Sequence, residues 1–371
     1  MRRLWFDMLW KTDWILFGSI LALTVIGLLM VYSIGASNEV GNLLQFKKQV
    51  IAVMIGLIVF ILLAIVDYRQ IKSLGTVIYA VGLSLLVSVL IFGSTVRGTQ
   101  GWFKFGSIAI QPVELAKVTF AIFLASYFAK HVYHRLNWVT FFGSLFAMLG
   151  YVAPILLQPD FGSAMVIVAM WLVGVAFAGL RPKAWLLLLL VGVVSSLLVW
   201  QYAFKPYQKD RLMAFINPQM DPLGAGYNVI QAQTAIGSGG ILGKGIGQGS
   251  QSRLRFLPEA STDFMFAVMG EELGLLGICL ILGLFGVILL RLLILGSRIA
   301  DPFVGIYCGM ITGMLGLHVL INAGMNMGVM PVTGIPLPFA SAAATALVGG
   351  YLALGVAESA AIHGKSQASE R

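Results

Sequence analysis

"STDFMFAVMGEELGLLGICLILGLFGVILLR", residues 261 to 291, places eighteen consecutive apolar residues, 273 to 290, directly behind three carboxylates, Asp263, Glu271 and Glu272. A helical run of that length crosses a hydrocarbon core about 30 Å thick. The carboxylates need not enter lipid, because the segment from Asp263 to Glu272 reads as a helical extension at one face. Eight residues of helix separate Asp263 from Glu271 by about 12 Å along the axis and about 80° around it, so the two cannot share a proton.

Similar runs recur along the chain, at 13–34, 49–66, 73–94, 112–129, 138–157, 161–179, 184–204, 303–323 and 337–360. With 59% hydrophobic and 11% charged residues and a mean hydropathy of +0.92, the composition lies far outside the soluble range. The runs are continuous and lack period-2 alternation, which requires helices and excludes a barrel. The expected fold is an all-α polytopic membrane protein of ten transmembrane helices. It forms a single domain, 1–371, with one long extracytoplasmic loop, 205–262, between helices 7 and 8. The N-terminal run is too long for a signal-peptide core and lacks a small-residue cleavage site, so it is expected to be retained. Cys279 and Cys308 fall inside spans and imply no disulfide.

A cytoplasmic N-terminus brings the C-terminus back to the same side. Thirteen Lys and Arg then lie inside and ten outside, with Lys117 in a span. Six of the outside ten sit in the loop 205–262; without it the bias is thirteen against four, in line with the positive-inside rule. The loop is basic despite its side of the membrane, which suits either an ordinary solvated segment or a site for an anionic ligand.

Within it, "YNVIQAQTAIG" (227–237) has the pattern of a short amphipathic helix closed by Gly237. Seven glycines follow between 237 and 249, able to cradle a phosphate or merely to let the chain bend. They match neither the Walker pattern nor GxGxxG, so nucleotide binding is not supported and no nucleic-acid partner is expected. Arg253 and Arg255 alternate with Leu254 and Phe256, an extended pattern that would turn both guanidinium groups to one side.

Ionisable groups at or within a span are functional candidates by default. Asp263 follows Ser261 and Thr262, so it is either a helix cap or a general base at the edge of an apolar wall. Asp160, just ahead of a span in "QPDFGS", reads first as an N-cap. Glu114 and Lys117 lie three apart on one helix face, as a structural pair or a substrate contact. His318, Asn322 and Asn326 form one stripe, suited to interhelical hydrogen bonds.

Taken together, "RGTQGWFKFGSIAIQPVELAK" (97–117), "QPDFGSA" (158–164), "YQKDR" (207–211), "DPLGAGYNVIQAQTAIGSGGILGKG" (221–245), "FLPEASTDFMFAVMGEELG" (256–274) and "MPVTGIPLPFAS" (330–341) resemble the SEDS family (shape, elongation, division and sporulation), in its RodA branch. The resemblance runs from the first span to the last. It implies a peptidoglycan glycosyltransferase of the bacterial cytoplasmic membrane that polymerises lipid II during cell elongation, with its active site outside. It also implies a class B penicillin-binding protein as partner, and Asp263 of the "TDF" motif as the catalytic residue. A divalent cation (Mg or Mn) would be compatible, but no metal-ligand spacing appears and none is assigned.

Such a reaction needs a base near a sugar hydroxyl and cations near a departing pyrophosphate. Asp263 fits the first. Arg253, Arg255, Lys244, Lys209 and Arg211 fit the second, with Glu114, Lys117 and Asp160 as further substrate contacts. Rival readings are a lipid II flippase and a silent scaffold for the penicillin-binding protein. One departure stands out: where the family usually reads "PLPFVSYGGSS", this chain reads "PLPFASAAATA", with Ala342, Ala343 and Ala344 replacing an aromatic and two glycines.

Overall fold

The computed structural model describes residues 11–36, 43–96, 98–106, 108–131, 136–180, 182–198, 201, 215, 226–254 and 256–364. In chain order its elements are α1 (Trp14–Ala36), α2 (Leu44–Ile65), α3 (Tyr68–Ser73), α4 (Gly75–Phe92), strands β1 (Ser94–Val96), β2 (Thr99–Phe105) and β3 (Ile108–Ile110), α5 (Pro112–Ala129), α6 (Trp138–Leu157), α7 (Phe161–Phe177), α8 (Pro182–Leu198), α9 (Tyr227–Gly239), α10 (Ser250–Arg253), α11 (Met265–Arg298), α12 (Pro302–Asn326) and α13 (Ala344–His363).

Among the described residues, eight helices are long and apolar enough to cross a membrane, namely α1, α2, α4, α5, α6, α11, α12 and α13. The chain is a multi-pass membrane protein, and α7 and α8, of 17 residues each, fall between α6 and α9 in chain order. Caps written in the sequence set the helix starts. Asp13, Asn137, Asp160 and Asp301 each accept a backbone N–H from the first turn of α1, α6, α7 and α12. Proline opens α5 and α12, where its missing N–H costs nothing. Outside the helices, 94–110 folds into an antiparallel three-stranded sheet, β1-β2-β3, with Trp102 opposite Ser94 and Phe103 opposite Ile110.

At the centre stand α5, α12 and α13, the most buried of the long helices. Around them α13 packs on α2, α5 on α4, α12 on α7 and α11, and α11 on α1. The outer helices turn Ile51, Ile58, Val77, Val81, Leu275 and Leu276 outward, as lipid-facing surfaces do. Close packing is enforced by glycine at Gly27, whose added Cβ would strike Ala340 at 2.6 Å.

Two polar layers cross the bundle. In one, Arg291 of α11 grips Asp13 (Nε to Oδ2 2.8 Å), whose backbone N–H donates to Glu358 at 2.8 Å, while Lys72 pairs with Asp301 at 2.8 Å. In the other, Ser33 of α1 donates to Glu272 at 2.8 Å. From Arg291 to Leu275 the helix α11 runs sixteen residues, roughly 24 Å, so Glu272, just beyond, stands near the far edge of a hydrocarbon core about 30 Å thick.

Two sequence expectations are corrected here. The stretch 263–290 is not one continuous helix, because α11 breaks at Gly274 (φ 70°, ψ −168°). Nor does the last span begin at 337: residues 331–343 form an irregular, largely buried loop, and α13 starts at Ala344. The α11 break leaves amides and carbonyls without helical partners, and the glycine loop supplies them. Leu275 N–H donates to Gly240 O (2.9 Å) and Leu276 N–H to Ile241 O (3.2 Å), while Lys244 and Gly245 N–H donate to Glu271 O (2.9 Å) and Glu272 O (3.0 Å). Backbone meets backbone so closely that a Cβ on Gly239, Gly243 or Gly274 would collide with the opposite main chain. The glycines are there for this approach and for the positive φ at Gly240, Gly243, Gly245 and Gly247. Helix α9 accordingly runs through Gly237 and ends at Gly240 (φ 58°), three residues later than its sequence suggests.

Gly243→Ala should therefore destabilise the protein by at least ~1–2 kcal/mol, the cost of a left-handed alanine before the clash with the Glu272 carbonyl is counted. A lower thermal midpoint in detergent would register this; an unchanged midpoint would mean that the loop is not seated on α11.

Candidate functional site

Asp263 lies in a turn, 259–263, just ahead of α11. Phe264 takes the N-cap position without a side-chain cap, so Asp263 is not the cap of this helix. The turn is closed by Thr262 N–H to Glu259 O (3.1 Å) and Phe264 N–H to Glu259 O (3.2 Å). Its far side is held by α12. Asn322 Nδ2 and Asn326 Nδ2 both donate to the Asp263 carbonyl, at 3.0 and 3.1 Å, and Asn326 Oδ1 accepts from Ala267 N–H at 3.1 Å.

A third support comes from the loop 331–343. Ser341 Oγ donates to Thr262 O at 2.7 Å, Ala342 N–H donates to Ser261 O at 2.7 Å, and Ser261 Oγ reaches Gln45 of α2 at 2.8 Å. Behind the turn Leu257, Ala260, Phe264, Ala267 and Val268 pack with Ala232 and Ala235 of α9 in a small core of their own. The backbone of Asp263 is thus fixed from several directions, while its side chain is only half-buried. The carboxylate faces Gly334 (φ 76°), where an added Cβ would lie 3.6 Å from Oδ2.

One helical turn below Asn322 is His318, whose Nε2 is 3.2 Å from Lys117 Nζ; Lys117 also pairs with Glu114 at 2.8 Å. Lysine can only donate, so Nε2 accepts and the ring proton sits on Nδ1. Lys117 is 2% exposed and Glu114 7%, so the ion pair is buried between α5 and α12. Beside it is a small cavity lined by Glu114, His318, Pro338, Ala346 and Gly349. Asp160 is the N-cap of α7, accepting Ser163 N–H (2.9 Å) and Ser163 Oγ (2.7 Å). In the same turn Gly162 abuts Thr333 O and Ile335, and Ile335 O in turn accepts from Asn322 at 2.8 Å. The structure therefore gathers Asp263, Asp160 and the Glu114–Lys117 pair around the loop 331–343.

Glu271 and Glu272 have another task. Glu271 Oε1 receives Lys244 Nζ (2.9 Å), Ser250 Oγ (3.1 Å) and Gln251 N–H (3.0 Å). Glu272 receives Ser33 Oγ (2.8 Å) and Gly247 N–H (3.1 Å). They clamp the glycine loop to the broken helix, and Lys244 is committed to that clamp. Arg253 is exposed at the end of α10, in helix rather than in the extended pattern its spacing suggested. Arg255, Lys209 and Arg211 lie outside the described residues. Among the described residues no three His, Cys, Asp or Glu side chains gather to hold a metal ion.

Sequence reading missed Ser33, Gln45 and Ser341 as members of this network. Ser33 and Ser341 carry a faint signal, as small polar residues in apolar stretches where a hydrogen-bond partner is required, whereas Gln45, close to Lys47, Lys48 and Gln49, carries none.

Comparison with known proteins follows the same lines. A family model described as "Cell cycle protein", FTSW_RODA_SPOVE, matches residues 13–366. The chain is 32% identical to the peptidoglycan glycosyltransferase MrdB of Escherichia coli (strain K12) over 355 residues, covering 93% of this chain and 92% of that protein. Its structure is similar to a chain from work on the structural coordination of polymerization and crosslinking by a peptidoglycan synthase complex. That match has a TM-score of 0.79 and 29% identity, covering 94% of this chain and 97% of the other. The Thermus thermophilus rod shape determining protein RodA gives a TM-score of 0.70 at 27% identity, covering 94% and 96%.

Breaking the buried pair from one side isolates a charge. Lys117→Met should cost about 3–5 kcal/mol, and Lys117→Met with Glu114→Gln should recover part of that loss. Denaturation of the two variants in micelles measures the difference; equal loss in both would show that the pair is not coupled.

Proposed function

Since this chain belongs to the FtsW, RodA and SpoVE family, we propose that it elongates glycan strands from lipid II with Asp263 as the general base. It is a peptidoglycan glycosyltransferase, the activity borne by its relatives over almost their full length. In the displacement, the 4-hydroxyl of the acceptor sugar attacks the anomeric carbon of the lipid-linked chain. The new glycosidic C–O bond forms as the C–O bond to phosphate breaks, and the pyrophosphate leaves with the electron pair. Asp263 takes the hydroxyl proton. An α-linked donor and β-linked product require a single inversion, hence one base and no covalent intermediate.

The observation that carries this reading is the way Asp263 is held: a main chain pinned by Asn322 and Asn326, and a half-buried carboxylate lying against Gly334. A base whose main chain is fixed in place is what preorganised proton transfer needs. Arg253, with Arg255, Lys209 and Arg211, would hold the pyrophosphate. Lys244 contributes through the loop it anchors, and Glu114, Lys117 and Asp160 frame the site from below through the partners already described.

Ten spans within one domain, 1–371, with the loop 205–262 after the seventh, would put both termini and the Asp13–Arg291 layer in the cytoplasm and Asp263 outside. This is the orientation that the Lys and Arg distribution favours. The protein would work in the bacterial cytoplasmic membrane beside a class B penicillin-binding protein, during elongation. The resemblance to a chain of a peptidoglycan synthase complex supports that partnership. A translocation pathway is less well supported, since the break in α11 at Gly274 is filled by the chain's own loop.

Asp263→Asn should lower lipid II polymerisation by the purified protein and its partner by about 10²–10⁴-fold while leaving the thermal midpoint near that of the parent. Polymerisation at the parent rate would refute the base. Arg253→Glu should raise the lipid II concentration needed for half-maximal rate, and unchanged kinetics would remove Arg253 from the phosphate site.

A further inference from the structure

We infer that residues 240–246 form a re-entrant tip lying among the acyl chains of one leaflet, so that this loop is moored to lipid as well as to α11. Ile241, Leu242 and Ile246 are 65%, 78% and 54% exposed, which is unusual for three large apolar residues within six positions of a polar loop. They do not stand alone. Backbone bonds from Leu275 to Gly240 and from Leu276 to Ile241 set the tip against α11, where Leu275, Leu276 and Leu280 are 53%, 57% and 57% exposed. The tip thus continues the lipid-facing flank of a transmembrane helix without interruption.

Depth supports the same occupant. Arg291, paired with Asp13, marks one polar boundary of the bundle. Leu276 lies fifteen residues along the same helix, roughly 22 Å away, which is short of the ~30 Å needed to leave the hydrocarbon core. Non-helical backbone at that depth is tolerated only where its polar groups are paired within the protein. Across the break that pairing is present: the amides of Leu275 and Leu276 and the carbonyls of Glu271 and Glu272 all find main-chain partners in the tip. The charged groups gather on the other side of the break, with Lys244 bonded to Glu271, where a lysine stem can run past apolar surface to the headgroup level.

The test uses the full-length chain and its two native cysteines. With Cys279, which is exposed, changed to Ser, and Cys308 left buried, Leu242→Cys is labelled with the environment-sensitive dye NBD. The protein is reconstituted in phosphatidylethanolamine and phosphatidylglycerol vesicles. Bromines placed in the upper acyl chains should quench the dye, and aqueous iodide should leave it unchanged. Ile246→Cys provides a second, independent position with the same expectation. Quenching by iodide with no effect of bromine would place the tip in water and overturn the inference. Shielding from both quenchers would do so too, by showing that protein, a second copy or a partner chain, covers the tip.

Discussion

The requirement that every main-chain N–H and C=O be paired within the membrane governs this structure more than any side-chain contact does. Along most of the long helices among the described residues it is met by the helical ladder itself. At Gly274 of α11 the ladder breaks, and the chain answers with a second piece of backbone, 239–247, laid against the break. Only glycine permits that approach, which explains a glycine-rich stretch that matches no nucleotide-binding pattern. The two glutamates beside the gap then clamp the loop through Lys244, Ser250, Gln251, Gly247 and Ser33. Two of the three carboxylates in the "TDFMFAVMGEEL" stretch therefore keep the third in position, by securing the short helix 265–273 at whose head Asp263 stands.

The same economy shapes α12. Its polar stripe serves two partners at different heights: Asn322 and Asn326 hold the main chain of Asp263, and His318, one turn lower, accepts from Lys117. A buried ammonium is costly unless both a counter-charge and further acceptors meet it, and Glu114 and His318 supply these from two different helices. The consequence is mechanical. α5 is tied to α12 by Lys117 and His318, α12 to the loop 331–343 by Asn322 and Ile335, and that loop to the turn 259–263 by Ser341 and Thr262, so a shift of one is resisted by the next.

Much of this was legible in the sequence, for identifiable reasons. Apolar runs as long as a bilayer is thick have one reading, so the spans at 112–129 and 138–157 agree with α5 and α6 residue for residue. Asp160 as a cap and the Glu114–Lys117 pair follow from local spacing, which a helix fixes. What escaped was non-local. No spacing says that Gly243 meets Glu272 or that Ser341 meets Thr262, and an apolar run cannot distinguish a helix from the buried loop at 337–343. The sheet at 94–110 was also missed, since its three short strands carry turn glycines and aromatics without a strict alternation.

The departure at Ala342–Ala344 can be judged from the same geometry. Glycine is needed where φ is positive or where a Cβ has no room. Among the described residues the non-glycine positions with positive φ are Pro159 and Phe339, and residues 342–344 are not among them. Ala343 has φ −121°, an ordinary value for an alanine at a helix cap. The bonds that this segment makes to the turn 259–263 come from the Ser341 hydroxyl and the Ala342 amide, and neither depends on the side chains at 342–344. The replacement of an aromatic and two glycines by alanines thus preserves the support under Ser261 and Thr262. Because the backbone of Asp263 is held from that support on one side and from Asn322 and Asn326 on the other, its position does not depend on the side chains that differ.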